Sequence, residues 1–237
     1  MKNIKWSKLI ICWLMMFALF VSFSLPSNDA YAASSTKAKV ITKTYKSKQF
    51  LKYPQVSRLK STSAQKKINS VLVKHIQGSY KSYNQLKKDM EELQGDPLCK
   101  EYPYACQYDY TTSYKVKYNK NGKVSILIFD WMYAGGAHGS GSVTSYNFNL
   151  KTGKHYTLSD TLTSKAKYTK VTKYVKSYMS KHPDIFFESY LLDDFKVDKN
   201  TQFYYTDKGI ALIFQEYEVA PYAVGNPVIH VPSTVYK

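Results

Sequence analysis

The stretch that organises this sequence is KVSILIFDWMYAGGAHGSGS, Lys123–Ser142. Its first half is an apolar run typical of a buried strand, and four of the seven positions 135–141 are glycine. Glycines cluster beside a strand where the backbone takes a conformation, or an approach, that other residues do not allow. We interpret the stretch as a strand and a tight corner, in which His138 is held by a hydrogen bond and the surrounding aromatic residues are available for contacts.

The segments around this corner predict an antiparallel meander. Residues 107–118 read as an aromatic strand, and residues 119–122 (Asn-Lys-Asn-Gly) form a hairpin turn, because Asn-Gly adopts positive φ at little cost. Residues 123–133 are the return strand, and residues 143–150 leave the corner as the next one. At least three strands should therefore pair in sequence order.

Two long helices interrupt the strands. Apolar residues at helical spacing predict one helix from Thr62 to about Glu92, with Thr62 and Gln65 as a capping box. A second helix is predicted over residues 164–181. His75 lies on or beside the apolar stripe of the first helix, and we interpret it as a packed residue with satisfied ring nitrogens.

Further strands are predicted at both ends of the chain, over residues 40–46, 48–58, 201–206, 209–215 and 226–232. Groups of strands thus alternate with single helices. This order predicts an α+β fold: a mostly antiparallel β-sheet with two main α-helices packed on it.

The N-terminus has the pattern of a secretory signal peptide over residues 1–32. Three lysines precede the apolar run Leu9–Leu25, and Ala-Tyr-Ala at 30–32 fits a cleavage site. We expect residues 33–237 to form a single exported α+β domain, with residues 33–39 as a flexible leader. The alternative is an uncleaved segment, which would then be the chain's only contact with the membrane.

The charge is strongly positive. The formal net charge is +17, and +15 remains if residues 1–32 are removed. Nearly all of it is lysine, with Arg58 as the sole arginine. Arginine is preferred for bidentate phosphate and base recognition, whereas lysine is a hydrated point charge. The composition argues against nucleic-acid binding and favours an anionic wall polymer or surface, with simple solubility as the alternative.

Two cysteines, Cys99 and Cys106, remain after the predicted cleavage. In an oxidising compartment an even pair this close in sequence predicts a disulfide that closes one loop. A zinc site would need more ligands nearby, and the five histidines show no metal-ligand spacing. We therefore expect neither a metal nor a cofactor.

The motifs for hydrolytic chemistry are weak. Gly139-Ser140-Gly141 lacks the Gly-x-Ser-x-Gly pattern of a nucleophile elbow. Glu216 and Glu218, if they lie in a strand, point the same way and are best explained as partners of the glycine turn's amides or of lysines. A hydrolase acting on peptidoglycan, centred on His138, stays open as an alternative, but we expect a binding domain.

The residues resemble one known family. The motifs are YAGGAHG at 133–139, NFNL at 147–150, LSD at 158–160 and APYAVG at 220–225. In this combination they are similar to the extracellular domain shared by the RsiV anti-sigma factor and the N-terminal region of the PdaC peptidoglycan deacetylase. The resemblance covers nearly the whole chain after residue 33. It implies an α+β fold, and lysozyme binding is known for the RsiV member.

We do not expect the signalling role of RsiV or the deacetylase activity of PdaC to carry over, because we recognise neither an internal transmembrane helix after a sigma-binding region nor a polysaccharide-deacetylase domain. The leading hypothesis is a secreted, cell-wall-associated, non-catalytic domain that contacts anionic wall polymer or peptidoglycan. Lysozyme binding or inhibition is the alternative. The predicted binding residues are Trp131, Tyr133, His138, Glu216, Tyr217, Glu218 and Tyr222.

Overall fold

The strands form two sheets in the computed structural model, which describes residues 37–93, 95–188 and 192–237. The six-stranded sheet contains, in spatial and chain order, β1 (Lys39–Tyr45), β2 (Lys48–Ser57), β3 (Tyr108–Lys120), β4 (Lys123–Ala134), β5 (Ser140–Asn149) and β6 (His155–Tyr156). The three-stranded sheet contains β7 (Gln202–Tyr205), β8 (Gly209–Ile213) and β9 (Val228–Pro232). All neighbouring strands pair antiparallel except β2 and β3, which meet in parallel at Leu51 and Thr112.

The helices are α1 (Thr62–Leu93), the short α2 (Pro97–Glu101) and α3 (Lys165–Ser180). The two long helices predicted from apolar spacing are confirmed. The predicted capping box at Thr62 is wrong by one residue, because the hydroxyl of Ser61 accepts the amide of Ala64 at 3.1 Å and so caps α1.

Each long helix covers one sheet. Buried residues of α1, such as Ile68 and Leu72, pack with Ile126 of β4 and other residues of the six-stranded sheet. Val171 and Val175 of α3 pack against the three-stranded sheet in the same way. This arrangement confirms the predicted α+β class.

A smaller apolar cluster joins the two sheets. Leu127 of β4 and Val143 of β5 pack with Tyr204 of β7 and with Ala211 and Ile213 of β8. Burying an aliphatic side chain of this size contributes about 1.5–3 kcal/mol relative to exposure. The two sheets therefore share a core, which fixes the loops at their ends relative to each other.

The local predictions around the sheet also agree with the structure. The hairpin between β3 and β4 turns at Asn121 and Gly122, whose φ values are 51° and 69°. Cys99 and Cys106 form the predicted disulfide, with Cα atoms 5.5 Å apart.

The predicted signal peptide over residues 1–32 lies outside the described residues, as does most of the leader. At the end of that leader Ala38 is buried, and its amide donates to Asn119 Oδ1 at 2.9 Å. Within the described ranges, no helix is both long enough and apolar enough to cross a membrane.

Asp130, near the end of β4, is the centre of a buried polar network. Its carboxylate accepts hydrogen bonds from Ser79 Oγ and from the hydroxyl of Tyr110, and it lies 2.8 Å from His75 Nε2. The other nitrogen of His75 lies 2.9 Å from the hydroxyl of Tyr146. Both ring nitrogens are thus satisfied, as the interpretation of His75 as a packed residue requires.

The ionisation of this network follows from its contacts. Burial works against a charged Asp130, but the hydrogen bonds from His75, Ser79 and Tyr110 and the attraction of His75 outweigh it and hold the pKa of this carboxyl below its usual range. Burial and the nearby Asp130 raise the pKa of Tyr146 to about 12, so its hydroxyl stays protonated at neutral pH. The network therefore fixes α1 on β4 and β5. At its centre is the charged carboxylate of Asp130, whose hydrogen-bond partners all act as donors.

We predict that His75→Ala lowers the free energy of unfolding by about 2–3 kcal/mol, because it removes one partner of a carboxylate whose side chain is only 14% exposed. Urea denaturation measures the effect. The control is His230→Ala at an exposed position, which should stay within about 0.5 kcal/mol of the parent. Equal losses at the two positions would show that the network does not stabilise the fold.

Candidate functional site

The glycine-rich turn between β4 and β5 lies against the loop that follows β8. The turn spans residues 135–139 and the loop spans residues 214–227. Glu216 of the loop accepts the amide of Gly141 at 2.9 Å. His138 of the turn stacks on Tyr222 of the loop. Two segments about 80 residues apart in sequence thus form one surface.

The shape of the turn depends on its glycines. Gly136 has a φ of 88°, in the left-handed region that favours glycine. A Cβ at Gly139 would overlap the indole of Trp131 and come within 2.7 Å of the carbonyl oxygen of Met132. Because that oxygen belongs to the backbone, a change of side-chain rotamer cannot remove the clash. Gly139 therefore lets Trp131 lie directly across the turn.

Side chains of the loop hold the start of β5. Besides the bond between Glu216 and Gly141, Gln215 pairs with Val143 in both directions: its Oε1 accepts the amide at 2.9 Å and its Nε2 donates to the carbonyl at 2.8 Å. This geometry agrees with the explanation of Glu216 as a partner of the turn's amides. Glu216 and Glu218 lie in a turn after β8, which ends at Ile213, so the strand geometry that would point both side chains the same way does not apply.

Three aromatic rings form what we call the aromatic platform: His138, Tyr217 and Tyr222. The rings of His138 and Tyr222 stack with centroids 3.9 Å apart and planes 20° apart. Tyr217 stacks on Tyr222 at 5.7 Å, and its hydroxyl lies 3.4 Å from His138 Nε2. His138 Nδ1 lies 2.8 Å from the carbonyl oxygen of Gly139, so the ring is held from the backbone side, as expected from the sequence.

The platform faces solvent. Tyr217 is 56% exposed, and Trp131, beside the turn, is 36% exposed. A large aromatic ring stabilises a fold more when it is buried than when it is exposed to this extent. Their grouping on one anchored surface is therefore the feature of the molecule that most resembles a binding site.

Tyr217 has a strained backbone. Its φ of 63° lies in the left-handed region, where a side chain with a Cβ costs about 1–2 kcal/mol. Residues in such conformations concentrate at functional sites because the surrounding structure must enforce them. Here the turn from Gln215 to Glu218 enforces it, since the amide of Glu218 donates to the carbonyl of Gln215 at 3.2 Å.

Two predicted binding residues have other contacts. The hydroxyl of Tyr133 donates to the carbonyl of Gly136 at 2.8 Å and braces the turn. The carboxylate of Glu218 accepts the amide of Gln215 at 2.7 Å. Partial burial raises the pKa of Glu218 against the effect of that hydrogen bond. The structure thus brings together Trp131, His138, Glu216, Tyr217 and Tyr222, and gives Tyr133 and Glu218 bracing contacts.

The contacts of the histidines differ from those of a hydrolytic centre. The contacts of His138 are with a backbone carbonyl and two tyrosine rings, and none of them is with a carboxylate. Ser79 and His75 both contact Asp130, but the Ser79 hydroxyl bonds to the carboxylate and to the backbone carbonyl of His75, not to its imidazole, so the two do not form a nucleophile–base pair. Among the described residues no group of three or more histidine, cysteine or acidic side chains is placed to hold a metal ion.

Comparisons with known proteins divide the chain into two parts. The family described as deacetylase PdaC matches residues 39–141, and the family DUF3298, a protein of unknown function, matches residues 159–234. The chain thus carries a PdaC region followed by a DUF3298 region, which confirms the resemblance to PdaC inferred from its motifs. No match is found among curated proteins.

Two solved structures share the fold. A DUF3298 family protein from Bacteroides fragilis is similar with a TM-score of 0.62 and 17% identity, over 84% of this chain and 92% of that one. A DUF3298 family protein from Pseudomonas aeruginosa PAO1 gives a TM-score of 0.51 and 14% identity, over 85% and 91%. At these identities the likeness concerns the fold alone.

The candidate site crosses the boundary between the two matched regions. Trp131 and His138 belong to the PdaC region, whereas Glu216, Tyr217 and Tyr222 belong to the DUF3298 region. The platform therefore exists only where both regions fold together on the shared core between the sheets.

The strain at Tyr217 predicts a reversal of the usual order of glycine and alanine. Tyr217→Gly should be more stable than Tyr217→Ala by about 1 kcal/mol, because both lose the ring but only glycine relieves the left-handed backbone. Tyr222, whose φ is negative, is the control, and there glycine should be less stable than alanine by about 0.5–1 kcal/mol. Urea denaturation of the four variants measures both differences, and the same sign at both positions would refute the strain.

Proposed function

We propose that this chain is an exported, non-catalytic binding domain of the bacterial cell envelope that holds a peptidoglycan-type glycan on the aromatic platform. The observation that carries the proposal is the stacked set of His138, Tyr217 and Tyr222, in which His138 and Tyr217 are exposed, Tyr222 is half-buried and Tyr217 keeps a strained backbone. Strain and exposure both act against stability, so a binding role gives a reason for them.

The chemistry of the platform suits a sugar ring. Aromatic faces offer a flat apolar surface with a negative electrostatic potential, which attracts the polarised C–H groups on the face of a pyranose. Tyrosine hydroxyls can accept or donate hydrogen bonds at the edge of that ring, and Oε1 of Glu216 can accept them. An open surface of this kind binds a segment within a long glycan, whereas a closed pocket would admit only a chain end.

Export and the positive charge support the same setting. The disulfide between Cys99 and Cys106 is typical of an oxidising compartment, and residues 1–32 have the pattern of a signal peptide. The net charge of +15 that remains without residues 1–32, almost all of it lysine, adds a salt-dependent attraction to the anionic polymers of a cell wall. Glycan stacking would supply the local contact, and charge would supply retention.

Lysozyme binding, which the resemblance to RsiV implies, is the alternative partner. A strongly basic chain repels a basic lysozyme at long range, and this lowers the rate of encounter. We therefore rank the glycan first and treat lysozyme as an outcome of the test.

The test is a binding assay with purified peptidoglycan stripped of its anionic polymers. We expect Tyr217→Ala combined with Tyr222→Ala to lose at least about tenfold in affinity, because two stacking contacts are removed. The same loss should be seen at high salt, since stacking is not screened.

The matched control is Tyr102→Ala combined with Tyr104→Ala, which removes two tyrosines, 40% and 65% exposed, that are not part of the platform. It should bind like the parent. An equal loss in the control, or no binding by the parent at any salt concentration, overturns the proposal. Heat of binding with lysozyme in a calorimetric titration, without glycan binding, would replace it by the alternative. Release of soluble fragments that depends on His138 would replace it by a hydrolase.

A further inference from the structure

A second surface feature, away from the platform, is a cleft beside α3. It has a volume of about 570 Å³ and lies between one face of α3 and the segment at 196–197. Four lysines border it, and we call it the lysine cleft: Lys165, Lys173, Lys176 and Lys196, with Tyr168 and Val197 among the remaining lining residues. Its walls are mostly carbon. Ammonium groups therefore surround a floor of apolar surface.

The positive charge of the cleft is poorly compensated. Helix α3 contains five lysines and no acidic residue. Among the described residues none of the four cleft lysines forms a salt bridge, and the one hydrogen bond they make is from Lys176 Nζ to the carbonyl of Asp193. Like charges held close together without counter-charges destabilise the free protein and favour an anion.

The carboxylate of Asp198 is held within its own turn. Asp198 lies close enough to act on Tyr168, but its Oδ1 accepts the amides of Asn200 and Thr201 at 2.8 and 3.1 Å. These hydrogen bonds offset part of the negative charge of Asp198 within its own turn. The balance of charge around the cleft stays positive.

Tyr168 adds a donor without an acceptor. Its hydroxyl is buried and has no hydrogen-bond partner among the described residues. Burial, and then the nearby Asp198, raise the pKa of Tyr168, so the hydroxyl stays protonated and can donate. A buried donor without an acceptor is unfavourable, and an outward rotation of the Tyr168 ring would let an oxygen of a ligand in the cleft relieve this.

The spacing of the lysines distinguishes a polymer from a small anion. Lys165 and Lys176 are separated by eleven residues of one helix, which is about 16 Å at 1.5 Å per residue. The side chains at the two ends would have to extend fully toward each other to reach one phosphate. They can contact successive charges of a linear chain, with the apolar floor under the uncharged spacers between them.

We propose that the lysine cleft binds a linear phosphodiester polymer of the cell envelope, with the four lysines on successive phosphates and Tyr168 donating to a phosphate oxygen. This inference rests on the proposed function, because it assumes that the chain works at the envelope. It assigns the anionic part of the wall to a site separate from the aromatic platform.

The experiment uses a fluorescently labelled glycerol phosphate polymer and the chain from residue 33 onwards, with affinity measured by anisotropy over a salt series. The cleft variant changes Lys165, Lys173, Lys176 and Lys196 to Gln. It should lose at least about tenfold in affinity, and the slope of log affinity against log salt should fall by about three, since each phosphate contact contributes about 0.7–0.9. Tyr168→Phe should lose about threefold through the missing hydrogen bond.

The matched control changes four exposed lysines of α1, Lys66, Lys67, Lys74 and Lys81, to Gln. It has the same net charge as the cleft variant, so it should lose no more than about twofold. Equal losses in the two variants would show a diffuse charge effect and overturn the site. Full competition by inorganic phosphate at matched phosphate concentration would overturn the linear polymer, and unchanged affinity of Tyr168→Phe would overturn the role of its hydroxyl.

The proposals for the aromatic platform and for the lysine cleft can be refuted independently of each other. The cleft variant should keep its affinity for stripped peptidoglycan, and the variant of Tyr217 and Tyr222 should keep its affinity for the glycerol phosphate polymer. Loss of polymer binding in the platform variant would show that both ligands use one surface, which contradicts a separate cleft.

Discussion

Before β5 reaches its short pairing with β6, its outer edge is closed by side chains instead of a neighbouring strand, and the rest of the structure depends on this. Three backbone amides of that edge donate to side-chain oxygens from the second half of the chain: Gly141 to Glu216, Val143 to Gln215 and Ser145 to Gln202. Each such bond contributes about 0.5–1.5 kcal/mol. An open edge would otherwise be available for pairing with another chain. The same contacts fix the three-stranded sheet against the six-stranded one.

The candidate site follows from that closure. Glu216 is bonded to the strand that leaves the glycine turn, so the next residue, Tyr217, is placed over the turn and beside His138. The left-handed backbone of Tyr217 is tolerated because contacts on both sides enforce it: the bond of Glu216 to β5 and the closed turn from Gln215 to Glu218. Stability supplied by the shared core offsets this local strain, as is common at binding sites.

Local patterns predicted most of the fold but little of its assembly. Apolar spacing located both long helices, and Asn121-Gly122 located the main hairpin, because these signals act over a few residues. Local patterns did not predict the parallel contact of β2 with β3, because it depends on where the chain re-enters the sheet after α1. The separation of the strands into two sheets was also missed, because it is set by residues far apart in sequence.

In the candidate site, too, local patterns were predicted from the sequence and long-range contacts were not. The glycine turn and the aromatic loop were recognised from composition, and the structure brings them together. The left-handed φ of Tyr217 had no signal, because nothing in the sequence marks a tyrosine for that conformation. Asp130 had one weak signal, an acidic residue at the end of the most apolar strand, and its partners come from α1 and β3 as well as β5. Long-range packing thus decides which recognisable residues share a site.

The charge of the chain and its platform fit a single mode of attachment. Lysine ammonium groups remain hydrated and are screened at physiological salt, so each contact with an anionic polymer is weak and exchanges quickly. Aromatic stacking on a glycan is also modest for each ring. On a surface that repeats both chemistries, the first contact raises the effective concentration for the second, and retention follows without any strong individual site. Under the proposed function, a chain with one arginine and many lysines would therefore move along a wall more readily than it would stay at one point of it.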